Sequence, residues 1–338
     1  MEKHKIIAAI NKGPFPLALA QVVGVIGSAP RHLGAAMAVW PDGSSLGSVG
    51  GGGVEAAALE AAKGCLEFRR STKISASMLG QNSKEIEPIC GGAVEILVQY
   101  LESPGGYEAA GYEAADQILS QGRIAVLVFN LTERDSALPG LAAVADSQAS
   151  GGEAGLDQEA LTQAAGGAIV LSNRDGRLYE GVKPREKLLI LGGGYVGRAL
   201  AEAALGLDFS VTVADFRREF ADPGRFPPHV SVIHAPFEIA IRDFSFDTWT
   251  YVVVVSPGHI QDLECVRAIL GKPFKYAGFI GSKRKTQLVR SALADEGFPE
   301  EKIASLHAPI GLEIGAETPE EIAISILAQL VAVRRGVN

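Results

Sequence analysis

Three glycines and one aspartate in the segment KLLILGGGYVGRALAEAALGLDFSVTVAD (187–215) have the types and spacing of a phosphate site. Gly192 allows a tight turn after a buried strand, Gly194 lets a ligand approach the backbone, and Gly197 lets a helix pack closely on the sheet. Asp215 follows Gly194 by 21 residues, near the ~20 expected for a carboxylate that binds ribose hydroxyls. The pattern predicts a Rossmann-type βαβ unit whose helix N-terminus favours an anion.

Two further loops follow predicted strands of the same half of the chain. Residues 281–285 combine glycine amides with three cations, which suits a phosphate. The same residues are also compatible with a solvated basic turn at the start of a helix. His259 fits a general base or a ligand contact, and equally a hydrogen-bonded loop residue. The predicted cofactor-binding residues of this half are Gly192, Gly194, Tyr195, Val196, Gly197, Asp215, Arg217, Gly281, Ser282, Lys283 and Arg284.

The first half of the chain carries a second candidate anion site and one notable cysteine. Arg31, Gly51 and Gly52 belong to glycine-rich loops ahead of a predicted helix, and an adaptable turn explains them as well. Cys90 precedes two glycines, which suits a soft-metal or sulfur-transfer role, or a buried cysteine at a tight turn. Cys65 and Cys265 lie on helix faces and are predicted to be core thiols.

Composition and charge limit the class of protein. A chain of 338 residues, 47% hydrophobic and with 40 glycines, fits a well-buried α/β protein with glycine-rich turns. The net charge of −8 provides no basic field for a nucleic-acid backbone, which argues against a nucleic-acid partner. No apolar run reaches the ~18 residues of a membrane span, and the start MEKHKIIAAI lacks a signal-peptide pattern. We therefore expect a cytoplasmic protein with no membrane contact.

The glycine turn begins past the midpoint of the chain, so we expect two domains with a boundary between residues 182 and 183. In the second domain, 183–338, repeated βα units with continuous apolar strands predict a Rossmann-type parallel sheet with helices on both faces. The sequence TPEE (318–321) predicts a capping box at the start of the last helix, whose apolar face should dock on the sheet.

The first domain, 1–182, is predicted to be mixed α/β. Turn residues indicate two β-hairpins, at 36–49 and 168–182, and an apolar helix pattern covers 54–69. The Ala/Gly/Ser-rich stretch 132–167 indicates a loop with weak helix.

Six segments, taken together, resemble the XdhC/CoxI family of xanthine dehydrogenase accessory proteins. They lie in both halves of the chain and in family order, and only about 103–180 carries no motif. One departure is Tyr195, which stands inside the glycine turn where the family often has histidine, so no histidine role carries over to that position. The segments are GSAPRHLGAAMAVWPDGSSLGSVGGGGVEAAALEAA (27–62), CGGAVEILVQYL (90–101), LLILGGGYVGRALA (188–201), GHIQD (258–262), FIGSKRK (279–285) and PIGLEIGAETPEEIAISI (309–326).

The resemblance implies a protein that binds the molybdenum cofactor, as molybdopterin or its cytosine dinucleotide form. The family holds this cofactor while its terminal sulfido ligand is installed and passes it to a xanthine dehydrogenase-type molybdenum hydroxylase. A cysteine desulfurase would be the sulfur donor, and we expect a homodimer. Cys90 would then be a soft-thiolate contact for molybdenum or sulfur, because thiolates suit soft metals.

Two other function classes remain open. The glycine turn and Asp215 also suit an NAD(P)-dependent oxidoreductase, in which Asp215 would favour NAD over NADP unless Arg217 and Arg218 reverse the preference. A nucleotide-sensing regulatory module is the third possibility. Because the sequence offers no nucleophile with an adjacent base and no acid/base pair in the first domain, we expect a cofactor-binding accessory protein rather than an enzyme.

Overall fold

The computed structural model describes residues 2–26, 33–77, 92–103, 107–131, 140–146 and 155–337. The chain divides into two compact units, Met1–Pro184 and Arg185–Asn338. Arg31, Cys90 and Gly91 lie outside the described residues, as do parts of the segment 132–167.

The first unit begins with a five-stranded antiparallel sheet in the order β3-β2-β1-β5-β4. The predicted hairpin is confirmed, because β2 and β3 pair in antiparallel register across the turn at 41–44. The helix that follows starts at Gly52, two residues before the predicted start. These elements are α1 (Glu2–Lys12), β1 (Leu17–Ile26), β2 (Ala36–Val39), β3 (Ser45–Gly47), α2 (Gly52–Phe68), β4 (Thr72–Ser77) and β5 (Ala93–Leu101).

The rest of the first unit forms a four-stranded antiparallel sheet in the order β7-β6-β9-β8. The prediction of a loop with weak helix for 132–167 is wrong for Gly140–Asp146, which form a strand, whereas a helix is found at Gln158–Ala165. Small residues such as alanine carry little strand signal by themselves, and pairing with β6 decides the strand. These elements are α3 (Tyr107–Ser120), β6 (Ala125–Asn130), β7 (Gly140–Asp146), α4 (Gln158–Ala165), β8 (Ile169–Leu171) and β9 (Arg177–Val182).

Both sheets of the first unit contribute to one apolar core, which includes Leu97 of β5 and Phe129 of β6. The polar groups buried beside this core are paired. Glu180 accepts a hydrogen bond from Gln21 Nε2 at 2.9 Å and forms an ion pair with Lys3 at 2.8 Å. Because a buried carboxylate is stable only when it is paired, this contact ties α1, β1 and β9 together.

The second unit is a six-stranded sheet in the order β12-β11-β10-β13-β14-β15, and all its strand pairs are parallel, which confirms the predicted parallel sheet. Separate apolar clusters cover its two faces, which confirms the doubly covered sheet. The strands are β10 (Lys187–Leu191), β11 (Ser210–Asp215), β12 (Ser231–His234), β13 (Thr250–Val254), β14 (Tyr276–Phe279) and β15 (Leu306–His307). The helices are α5 (Tyr195–Ala204), α6 (Phe237–Asp243), α7 (His259–Leu270), α8 (Lys283–Asp295), α9 (Glu300–Ala304) and α10 (Pro319–Arg335).

The last helix, α10, starts with the predicted capping box. Thr318 accepts a hydrogen bond from the Glu321 amide, and the Glu321 carboxylate accepts one from the Thr318 amide at 3.0 Å. Hydrogen bonds from the Glu317 and Thr318 amides lower the pKa of Glu321. Ile326 and Leu330 are buried against the sheet, which confirms the predicted docking face.

The helices in the described parts of the chain are shorter than a membrane-spanning helix. Both α2 and α10 have 17 residues, and a bilayer crossing needs about 20 apolar residues. No helix in these parts of the chain combines the length and the apolar character that a membrane crossing requires.

Candidate functional site

The second unit reverses its strand order next to the glycine turn. The chain passes from β10 to β11 and β12 on one side, and then returns to β13 on the other side of β10. In open α/β sheets, ligands bind in the crevice at the carboxyl ends of the strands where this reversal occurs. The loops that follow β10, β13 and β14 all lie at this edge, so the structure brings the three predicted ligand loops of this unit to one place.

Three glycines of the turn after β10 are required by the fold itself. A Cβ atom on Gly192 would lie 2.4 Å from the Val255 carbonyl oxygen, and Gly192 has a φ of 124°. A Cβ on Gly197 would lie 1.8 Å from the Gly192 carbonyl oxygen, and one on Gly193 would lie 2.2 Å from that of Phe220. No side chain fits at these distances, so these glycines would be needed even without a ligand.

Gly194 differs from its neighbours, because its surroundings among the described residues do not require a glycine. A Cβ on Gly194 would have no heavy atom within 4 Å, and its φ of −65° and ψ of −167° suit any residue. Gly194 is the N-cap of α5, and no side chain caps that helix. The first amides of α5 therefore have no capping side chain, and the missing side chain leaves open space in front of them. Tyr195, the first residue of α5, is 76% exposed, and Val196 is half-buried.

Asp215, at the end of β11, is fully buried and its acceptor positions are occupied. Oδ2 accepts hydrogen bonds from the Gly193 amide and from Arg217 Nη2, each at 2.8 Å. Oδ1 accepts from the Arg217 amide at 2.9 Å and from Arg217 Nε at 3.0 Å. A ribose hydroxyl could reach this carboxylate only by displacing Arg217, since a carboxylate offers about four acceptor sites.

The charge state of Asp215 matches this pairing. Burial alone raises the pKa of Asp215, but hydrogen bonds from Arg217 and Gly193 outweigh burial and hold the pKa below its ordinary value. Arg217 is fixed in turn, because its guanidinium lies 3.9 Å from the ring centroid of Phe220. Arg217, which the sequence placed among the ligand-binding residues, thus serves in this structure as the partner of Asp215.

The loop after β14 presents two exposed cations and one that is already paired. Ser282 caps α8, because its Oγ accepts a hydrogen bond from the Lys285 amide at 3.2 Å. Lys283 and Arg284 are exposed in the first turn of α8, and neither side chain has an ion-pair or hydrogen-bond partner among the described residues. Lys285 instead forms an ion pair with the buried carboxylate of Asp262. The three cations lie in the first turn of α8, as in the basic turn at a helix start that the sequence left open.

The starts of α5 and α8 flank the crevice from two sides. Strand β13 separates β10 from β14, so the two helix starts are two strand spacings apart, roughly 10 Å. Both N-termini direct amide dipoles toward the carboxyl edge of the sheet. The edge therefore suits an extended ligand with phosphate at one end or at both ends.

The loop after β13 leads into α7, which begins at His259, three residues earlier than predicted. The N-cap of α7 is Gly258, and the Oγ of Ser256 donates a hydrogen bond to the Asp262 carboxylate. The acid/base or ligand role of His259 stays a prediction.

In the first unit, Gly51 and Gly52 form the start of α2 with φ angles of 78° and 56°. The Glu55 carboxylate already accepts hydrogen bonds from the Gly51 amide at 3.2 Å and from Ser48 Oγ at 2.6 Å. An anion at this helix start would have to compete with that carboxylate. The candidate residue Arg31 lies outside the described residues, so this second anion site stays a prediction.

Cys65 and Cys265 are buried, which confirms their prediction as core thiols. Within the described parts of the chain, no three His, Cys, Asp or Glu side chains converge to hold a metal ion. The expected contact between molybdenum and Cys90 concerns a residue outside those parts.

Thiol labelling of the native protein is expected to modify Cys90 first. Burial raises the pKa of Cys65 to about 12 and also raises the pKa of Cys265, so both thiols stay protonated and shielded at neutral pH. Brief treatment with N-ethylmaleimide followed by peptide mapping measures the order of modification, and the same treatment in urea should label all three cysteines. Earlier modification of Cys65 or Cys265 in the native protein would contradict the assignment.

Fold and site together define a class of protein. The second unit is a Rossmann-type domain whose switch point offers an uncapped helix start, an open glycine and two exposed cations, so it is suited to a phosphate-bearing ligand. The family model described as "XdhC Rossmann domain" matches residues 188–330, and the model described as "XdhC and CoxI family" matches residues 14–75. The chain belongs to the XdhC and CoxI family, as the sequence motifs predicted.

Three known proteins are similar in sequence to nearly the whole of this chain. The uncharacterized protein YqeB of Escherichia coli is 29% identical over 97% of this chain, which spans only 46% of YqeB. A Bacillus subtilis protein described as a probable subunit of xanthine dehydrogenase is 24% identical over 99% of this chain and 98% of its own length. The molybdenum cofactor insertion chaperone PaoD of E. coli is 27% identical over 94% of this chain and 83% of its own length.

A solved structure has the same fold. It comes from Bacillus halodurans and is described as a xanthine dehydrogenase. It superposes with a TM-score of 0.79, covers 100% of this chain and 97% of its own, and is 22% identical in sequence. At this identity the likeness establishes the fold alone.

Proposed function

We propose that this protein is an accessory protein of molybdenum cofactor maturation. It binds the molybdenum cofactor, supports its sulfuration and delivers it to a xanthine dehydrogenase-type molybdenum hydroxylase. Membership of the XdhC and CoxI family and the likeness to a molybdenum cofactor insertion chaperone support this role. A homodimer that works with a cysteine desulfurase as sulfur donor is part of the same proposal.

The observation that carries the proposal concerns one edge of the sheet, where space is free at Gly194 while the Asp215 carboxylate already has its hydrogen-bond donors. The open glycine and the uncapped start of α5 leave room for a phosphate. The carboxylate that would bind the ribose of a nicotinamide dinucleotide is instead occupied by Arg217. A phosphate ligand without a diol bound at Asp215 fits this edge better than NAD does.

Each residue has a defined part in the proposed binding. The amides of Gly194 to Val196 donate hydrogen bonds to the terminal phosphate, and Lys283 with Arg284 balances its charge. Ser282 caps the start of α8 beside Gly281, and His259, the first residue of α7, is a candidate ligand contact. The cofactor would supply the molybdenum centre and the terminal sulfido ligand, and Cys90 is the thiolate of this chain that we propose for the soft-metal or sulfur chemistry.

One experiment with two arms tests the proposal. Molybdenum cofactor released from a purified hydroxylase is mixed with the protein and separated by size, and NAD and NADP are titrated in parallel by calorimetry. We expect pterin fluorescence to co-elute with the protein, while both nicotinamide nucleotides bind at best in the millimolar range because Arg217 occupies Asp215.

The alternatives predict different results in the same experiment. An NAD(P)-dependent oxidoreductase would bind one nicotinamide nucleotide in the micromolar range and turn over a carbonyl or alcohol substrate. A nucleotide-sensing module would bind a free nucleotide and no pterin. Either outcome, with no pterin in the protein fraction, would overturn the accessory role.

A further inference from the structure

The carboxylate of Asp262 is fully buried in the first turn of α7, and the proposed function does not use it. Its Oδ1 accepts a hydrogen bond from Ser256 Oγ at 2.5 Å. Its Oδ2 accepts no hydrogen bond from a neutral group among the described residues, and the ammonium group of Lys285 is its partner. A buried carboxylate is retained only with such a partner, so Lys285 compensates this charge.

Lys285 turns inward over its own loop. A Cβ atom on Gly281 would lie 2.8 Å from Lys285 Cδ, so the side chain crosses directly over this glycine. The Nζ atom also donates a hydrogen bond to the Ile280 carbonyl oxygen at 3.2 Å. The absence of a side chain at Gly281 leaves room for the lysine stem, and the ammonium group meets the buried Asp262 carboxylate, whereas Lys283 and Arg284 are exposed.

These contacts connect two loops that follow neighbouring strands. Ser256 follows β13, Asp262 lies in α7, and Lys285 lies in α8 behind β14. If Lys285 turned outward to meet an anion, the Asp262 charge would be left unpaired in the interior. The binding of a phosphate by Lys285 would therefore weaken the structure that holds the loop.

We infer that Lys285 is a positioning residue and not a phosphate ligand. Through Asp262 it fixes the start of α8 against the loop after β13, so that the α8 amides, Lys283 and Arg284 meet the anion in a set geometry. This inference rests on the proposed phosphate site.

The test uses inorganic pyrophosphate, titrated calorimetrically into the full-length protein at several salt concentrations. For Lys283→Met and Arg284→Met we expect a loss of affinity together with a shallower dependence of affinity on salt, because each removes a charge that meets the anion. For Lys285→Met we expect about a tenfold loss of affinity with the salt dependence of the wild type. Lys302→Met is the matched control, since Lys302 bonds to the Leu270 carbonyl away from this edge, and it should match the wild type.

The double variant Asp262→Asn/Lys285→Met separates positioning from direct contact. It removes both charges while keeping the size of both side chains, so no charge is left unpaired. We expect its pyrophosphate affinity to lie between those of Lys285→Met and the wild type, because the unpaired charge is gone but the ion pair is not restored, with a melting temperature above that of Lys285→Met. If Lys285→Met does not fold, the pyrophosphate affinity and salt dependence of the double variant are compared with those of the wild type directly.

Other results would show whether the positioning role of Lys285 or the phosphate site itself is wrong. A shallower salt dependence for Lys285→Met, with no recovery in the double variant, would make Lys285 a direct ligand and overturn the inference while the phosphate site stands. Unchanged affinity in Lys285→Met would remove its positioning role. If the wild type binds no pyrophosphate, the phosphate site is wrong and the inference falls with it.

Discussion

A Gly194→Val variant is expected to fold like the wild type and to bind the molybdenum cofactor at least tenfold more weakly. The protein offers open space at this position and a backbone conformation that valine accepts, so the substitution costs little stability. The new side chain would stand in front of the uncapped start of α5, where a phosphate must approach the amides. A tenfold loss corresponds to about 1.4 kcal/mol of binding free energy.

Two further glycines serve as controls for this measurement. Gly206 is exposed, and a Cβ there would also meet no atom within 4 Å, so Gly206→Val should leave both folding and pterin co-elution unchanged. In Gly197→Val the Cβ would lie 1.8 Å from the Gly192 carbonyl oxygen, so this variant should lose much of its thermal stability. Wild-type cofactor retention by a folded Gly194→Val protein would remove the glycine turn from the site.

A Cys90→Ser variant is expected to bind the molybdenum cofactor and yet fail to activate an apo molybdenum hydroxylase. Phosphate binding is assigned to the second unit, so loss of the thiol should leave co-elution of pterin unchanged. Serine cannot replace a soft thiolate toward molybdenum or a sulfur donor, and we expect hydroxylase activation to fall by about a hundredfold or more. Activation is measured as substrate oxidation by the apo hydroxylase after incubation with the loaded accessory protein.

Cys65→Ala is the matched control for the loss of a thiol. Cys65 is buried, and its Sγ contacts the Val98 carbonyl oxygen at 3.9 Å, so this variant should lose some stability but keep activation. Full activation by Cys90→Ser would exclude a thiolate role for that residue. Loss of pterin binding in the same variant would mean that Cys90 holds the cofactor itself.

Much of the second unit could be predicted because its strands have a strong local signal. The apolar strands β10 and β13, the turn at Gly192 and the capping box at Thr318 each depend on neighbouring residues, and each was found in the expected place. The strand β7 could not be predicted in the same way, since its Ala-rich sequence acquires a strand conformation by pairing with β6.

The sequence alone determined the family, the parallel sheet and the order of the ligand loops, because motif spacing and hydrophobic periodicity are local properties of a chain. Only the tertiary structure decided what the charged residues of those loops do. Asp215 lies at the predicted strand end, but Arg217 occupies it. Lys285 belongs to the predicted basic loop, but Asp262 holds it inside. Pairing of charges depends on burial and on residues that meet only after folding, so spacing predicts where a charge lies and not whether it is free to bind.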